Sequence, residues 1–133
     1  MFFPISDDNP SNTSPIITYS LIGICLFVFF LQILSEMNPS IYYSFGFIPS
    51  SFFNSTSLLE AFFPVITSMF VHGGFAHIIG NLLYLWIFGD NVEDSMGKLR
   101  FIIFYILCGT SGAILQGIVD PTSNIPMVGA SCA

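Results

Sequence analysis

Long stretches without a charge alternate with short polar breaks, and this alternation sets the elements to expect. Ile16–Leu34 is uncharged over 19 residues rich in Phe, Leu and Ile. As a helix it reaches roughly 28 Å, the thickness of a hydrocarbon core. It predicts a first transmembrane helix, closed by Ser35-Glu36-Met37-Asn38-Pro39. Residues 40–63 are aromatic but broken by Gly46, Pro49 and several serines. That pattern fits a loop lying at the membrane interface, with room for short amphipathic helices. From Ala61 to Gly89 there is again no Asp, Glu, Lys or Arg. Within this run Pro64–Phe70 leads to a polar patch, and a second helix is expected from about Phe75 to Phe88, approached near His72. Gly89-Asp90-Asn91-Val92-Glu93-Asp94-Ser95-Met96-Gly97 reads as a charged loop with Gly at both ends. Phe101–Val119, uncharged over 19 residues, predicts the third helix. Its Gly109, Ala113 and Gly117 form a small-residue stripe suited to close helix–helix contact. After a turn at Asp120–Asn124, Pro126 and Gly129 mark the start of a fourth helix at Ser131. The first 15 residues are polar and turn-rich and read as a flexible tail, leaving 16–133 as the membrane domain.

Composition agrees. The 133 residues are 53% hydrophobic and 8% charged, with a mean hydropathy of +0.80. A soluble domain carries about a quarter charged residues. The class is an all-α, polytopic transmembrane bundle with three full helices and the start of a fourth. Lys98 and Arg100 are the only basic residues in a chain of net charge −6, which excludes nucleic acid as a partner. They directly follow the charged loop between the second and third helices, so the positive-inside tendency makes that connection, and with it the N-terminus, cytoplasmic. The first residues lack a basic n-region, and no small-residue cleavage site follows the first apolar run, so that run reads as a retained helix. Cys25, Cys108 and Cys132 lie in or beside apolar segments and read as free thiols.

Chemistry concentrates in His72-Gly73-Gly74-Phe75-Ala76-His77-Ile78-Ile79-Gly80-Asn81. Ionisable groups in hydrocarbon are costly and mark function. His77 and Asn81, four apart, share one face of a helix. His72 and His77, five apart, fall on different faces of a continuous helix. That spacing argues against a paired metal site, and a His-lined channel or metal carrier would lack a third ligand. Ser131 at a helix start sits beside unpaired backbone N–H groups, as an N-cap serine or as a nucleophile with ready-made oxyanion donors. Glu93 reads either as loop charge or as a functional carboxylate.

These residues resemble the rhomboid family of intramembrane serine proteases. His72, His77 and Asn81 match the family's H-x4-H-x3-N. Gly89-x3-Glu93-x3-Gly97 resembles the motif of its cytoplasmic turn. Gly129-Ala130-Ser131 matches the first three positions of its G-x-S-G. The three follow in the family's order across residues 64–133. The resemblance implies that Ser131 is the nucleophile, with His77, Asn81 and the Ser131 N–H stabilising the oxyanion. It makes His72 a supporting polar residue, Gly129 part of the nucleophile motif, and Glu93 a tie between the cytoplasmic turn and the helix ends. It implies a Ser–His dyad without metal or cofactor, transmembrane proteins as substrates, and a multi-pass place in the plasma (inner) membrane. Cys132 stands where the family has Gly and is expected to crowd the fourth helix. Neither histidine matches the family's base, which lies on a later helix. The chain is therefore expected to be an N-terminal portion, inactive and poorly packed by itself. A rhomboid-like protein that binds transmembrane segments without cutting them is the alternative.

Overall fold

The uncharged runs do fold as helix, because a span in lipid must satisfy every backbone polar group within itself. The computed structural model describes residues 14–130. Among these it has six helices, α1 (Ile16–Leu34), α2 (Ser40–Phe45), α3 (Pro49–Asn54), α4 (Leu58–Thr67), α5 (Phe75–Met96) and α6 (Lys98–Val119). The expected tail up to residue 13, and Ser131 and Cys132, lie outside the described residues. α1 and α6 are long and apolar enough to cross a membrane, with mean hydropathies of 2.3 and 1.9. Only 22% of each of these stretches is buried, so their apolar surface faces outward, as a lipid-facing span requires. α5 matches α6 in length but carries Asp90, Glu93 and Asp94 in its last turns.

The second helix is where expectation and structure part. Gly89–Gly97 is not a loop: α5 continues through Met96, and Gly97 alone, at φ +81, turns the chain into α6. A helix closes its own hydrogen bonds and needs no apolar surroundings once clear of the hydrocarbon, so acidic residues do not end it. Gly89 terminates nothing. A Cβ there would lie 2.8 Å from Thr18 Cγ2, so this glycine lets α5 come close to α1. The two helices pack along their length, and α1 turns Thr18, Leu21, Cys25, Phe29 and Gln32 inward.

The small-residue stripe is buried but does not meet a long helix. A Cβ at Gly109 would lie 2.6 Å from Met69 Sδ, and one at Gly117 3.2 Å from Phe47 Cζ and 3.4 Å from Phe53 Cε2. Met69, and Phe47 and Phe53 of the aromatic connection, pack into the groove that the glycines open. That connection is itself ordered. Pro49 opens α3, and Ser57 caps α4, its Oγ accepting from the Glu60 N–H at 3.2 Å. Phe47, fully buried, joins a core of Leu21, Val65, Met69, Phe101, Tyr105 and Ala113. It also forms an isolated antiparallel bridge with Met127: Phe47 N–H donates to Met127 O (2.9 Å) and Met127 N–H to Phe47 O (2.8 Å). The Ser50 N–H donates to Ser123 O at 3.1 Å. The aromatic segment thereby fixes the strand-like stretch that leads towards Ser131.

Candidate active site

Three backbone segments converge on the polar patch. The first is the start of α5. Gly74, at φ +157, is followed directly by the helix, and His77 and Asn81 stand one turn apart on it. Both line a cavity of about 620 Å³ between α5 and α6, together with Tyr84, Tyr105 and Ala130. The second is the stretch after α6. Gly129 N–H donates to Ser68 O at 2.8 Å, which holds residue 129 to the end of α4. A Cβ on Gly129 would meet the His77 ring, 2.6 Å from Cε1, and would lie 3.1 Å from Asn81 Nδ2. Gly129 also has φ +112, a conformation side chains rarely adopt. Only glycine fits there, and through it the backbone two residues before Ser131 touches both polar side chains.

The third segment is the irregular stretch between α4 and α5, which carries His72. His72 precedes the helix, so the five-residue spacing that placed the two histidines on different faces does not apply. Their rings meet edge to face at a centroid distance of 5.5 Å. His72 is fully buried. Its Nδ1 lies 3.0 Å from Phe70 O, and since a carbonyl only accepts, Nδ1 donates. Nε2 is left buried without a partner. His77 Nδ1 accepts from the Gly73 N–H at 3.3 Å. The Nδ2 of Asn81 is also buried and has no partner, as is the hydroxyl of Tyr105. An unpaired buried donor costs about 1–3 kcal/mol, so the Asn81 amide is poised for an acceptor. Among the described residues no group of three His, Cys, Asp or Glu side chains stands together.

Glu93 lies at the other end of α5, away from this patch. It is 1% exposed and reaches the first turn of α1. It accepts from Ile17 N–H (3.1 Å), Thr18 N–H (2.8 Å) and Thr18 Oγ1 (2.9 Å). These are donors that a helix start leaves unpaired, and a carboxylate there also meets the positive end of the helix dipole.

Two residues escaped the sequence reading. Thr18 is one. Gln32 is the other: it is 2% exposed, its Nε2 donates to His72 O at 2.9 Å, and its Oε1 accepts from His72 N–H at 3.0 Å. The available signal was that Gln32 is the single carboxamide in the first uncharged run.

A helical membrane protein with buried polar groups at both ends of a long helix, and two histidines and an asparagine together at one of them, is the class so defined. The rhomboid domain model matches residues 59–133, more than half of the chain, and the chain belongs to the rhomboid family. It is similar to the rhomboid protease GluP of Bacillus subtilis, at 31% identity over 124 residues, covering 92% of this chain and 23% of that protein. It is 27% identical over 128 residues to the rhomboid protease GlpG of Klebsiella pneumoniae, covering 96% of this chain and 42% of GlpG. RHOMBOID-like protein 5 of Arabidopsis thaliana is 30% identical over 69 residues, covering 52% of this chain and 22% of the relative. The chain thus spans less than half the length of these relatives. No solved structure matches it at a significant level.

Proposed function

We propose that these residues form the nucleophile and oxyanion side of an intramembrane serine endopeptidase that cuts transmembrane segments of other proteins. One observation carries the reading: Gly129 brings the backbone just before Ser131 against His77 and Asn81, whose amide donor is unpaired. Ser131 would attack the scissile carbonyl. Asn81 Nδ2, the ring N–H of His77 and the Ser131 N–H would receive the oxyanion, each such donor being worth roughly 10²–10³ in rate. The cavity beside them would admit the peptide and water that lipid excludes. His77 Nδ1 accepts from the Gly73 N–H, which makes its Nε2 a donor rather than a base, and neither histidine matches the family's base, so the base is assigned to a histidine beyond residues 1–133.

The bond from Glu93 at the end of α5 to the start of α1 supports placing Lys98, Arg100 and the start of α1 on one side of the membrane. The basic pair favours the cytoplasm for that side, in the plasma membrane. His77 and Asn81, near the start of α5, then lie towards the outer face, where the substrate would be cut.

The test is labelling by a fluorophosphonate in the full-length protein. Wild type should label and Ser131→Ala should not. Absence of labelling in wild type, with a transmembrane peptide still bound, would establish the non-cutting alternative. Ser131-dependent cleavage by residues 1–133 alone would move the base to His72 or His77.

A further inference from the structure

His77 can serve as a donor only if its ring hydrogen is on Nε2, and the groups that fix this reach back to the first helix. The peptide unit joining His72 to Gly73 is planar and trans. Its C=O accepts from Gln32 Nε2 at 2.9 Å, and its N–H donates to His77 Nδ1 at 3.3 Å. Gln32 and His77 therefore hold opposite ends of one rigid plane. Gln32 also accepts from the His72 N–H at 3.0 Å, which sets the approach to that plane. An amide N–H donates and never accepts, so His77 Nδ1 is the bare nitrogen and the hydrogen is on Nε2, the atom that faces Gly129.

We propose that Gln32 is a positioning residue that selects the Nε2–H tautomer of His77 through the His72–Gly73 peptide. This rests on the proposed function only for its purpose; the tautomer itself is observable without any activity. In most of the sequence around Gln32 an amide would be costly. Here two well-formed hydrogen bonds to a non-helical backbone, which has no ladder partner of its own, offset that cost.

The experiment is nitrogen-15 NMR of the imidazoles in detergent micelles. In the full-length protein the imidazole resonances lost in His77→Gln are those of His77, which assigns them whatever other histidines the protein carries. Wild type should show His77 with a bare Nδ1 and a protonated Nε2. Gln32→Met keeps length and apolar packing but makes neither bond, and should shift the His77 resonances towards a tautomer mixture with helix content unchanged. Gln32→Leu, which likewise makes neither bond, should shift them in the same way and replaces the Met variant if that one does not fold. A His77 protonated on Nδ1 in wild type would overturn the proposal, as would a folded variant with the wild-type His77 spectrum. If the shifts occur but Ser131 never labels, the positioning stands and the protease reading fails.

Discussion

Glu93→Ala is the sharpest test of how the bundle is held. The carboxylate is buried and accepts three hydrogen bonds at 2.8–3.1 Å, two of them from backbone N–H groups in the first turn of α1. Truncation leaves the Ile17 and Thr18 N–H groups and the Thr18 hydroxyl without their acceptor. Each buried donor left unpaired costs about 1–3 kcal/mol, so a loss of about 3–5 kcal/mol is expected, a large share of a typical total. Glu93→Gln should cost less, about 1–2 kcal/mol. One amide oxygen can still serve Thr18, but the NH₂ then faces the Ile17 N–H, and the attraction to the helix dipole is gone. Thr18→Val removes only the hydroxyl's bond and should cost about 1 kcal/mol. The assay is reversible unfolding in mixed micelles, followed by circular dichroism, with the midpoints compared across the series. The order Ala, then Gln, then Val, from most to least destabilised, is the expected result. A Glu93→Ala protein with the wild-type midpoint would refute the view that this carboxylate ties α5 to α1.

Three further outcomes follow from the geometry. Gly129→Ala should strain the backbone at φ +112 and push a methyl group into the His77 ring, costing about 1–3 kcal/mol locally and abolishing fluorophosphonate labelling of Ser131 in the full-length protein; retained labelling would count against the close approach. Asn81→Ala should lower kcat roughly 10²-fold with the unfolding midpoint little changed, since Nδ2 has no partner to lose; unaltered turnover would remove Asn81 from the oxyanion site. A reporter fused after Gly97 should read cytoplasmic and one near Ser50 external, because Glu93 places the start of α1 and the end of α5 together; the reverse pattern would overturn the orientation.

What the sequence made legible follows from the range of the interactions involved. His77 and Asn81 share a face because they are four apart on one helix, and local periodicity suffices to see it. The path from Gln32 to His72 spans 40 residues, and the tie from Thr18 to Glu93 spans 75; no local pattern contains either. The acidic stretch after Gly89 was read as a loop because glycine and carboxylates usually break an apolar helix. Its carboxylate has its partner on α1, and its glycine has its neighbour there too. Even so, α1 held a usable clue. Its inward residues, Thr18, Leu21, Cys25, Phe29 and Gln32, are spaced by three, four, four and three, the seam of a packed helix pair. Hydrophobicity cannot reveal that seam, since the outward face in lipid is as apolar as the inward one. Polar side chains can, because they avoid lipid and settle where a partner waits. Thr18 and Gln32, near the two ends of α1, fall on one stripe, and each finds its partner on or beside α5: Glu93 at one end, the His72 backbone at the other. In a span like this the few polar residues, rather than the many apolar ones, mark the buried face, and the second of them leads directly to the candidate site.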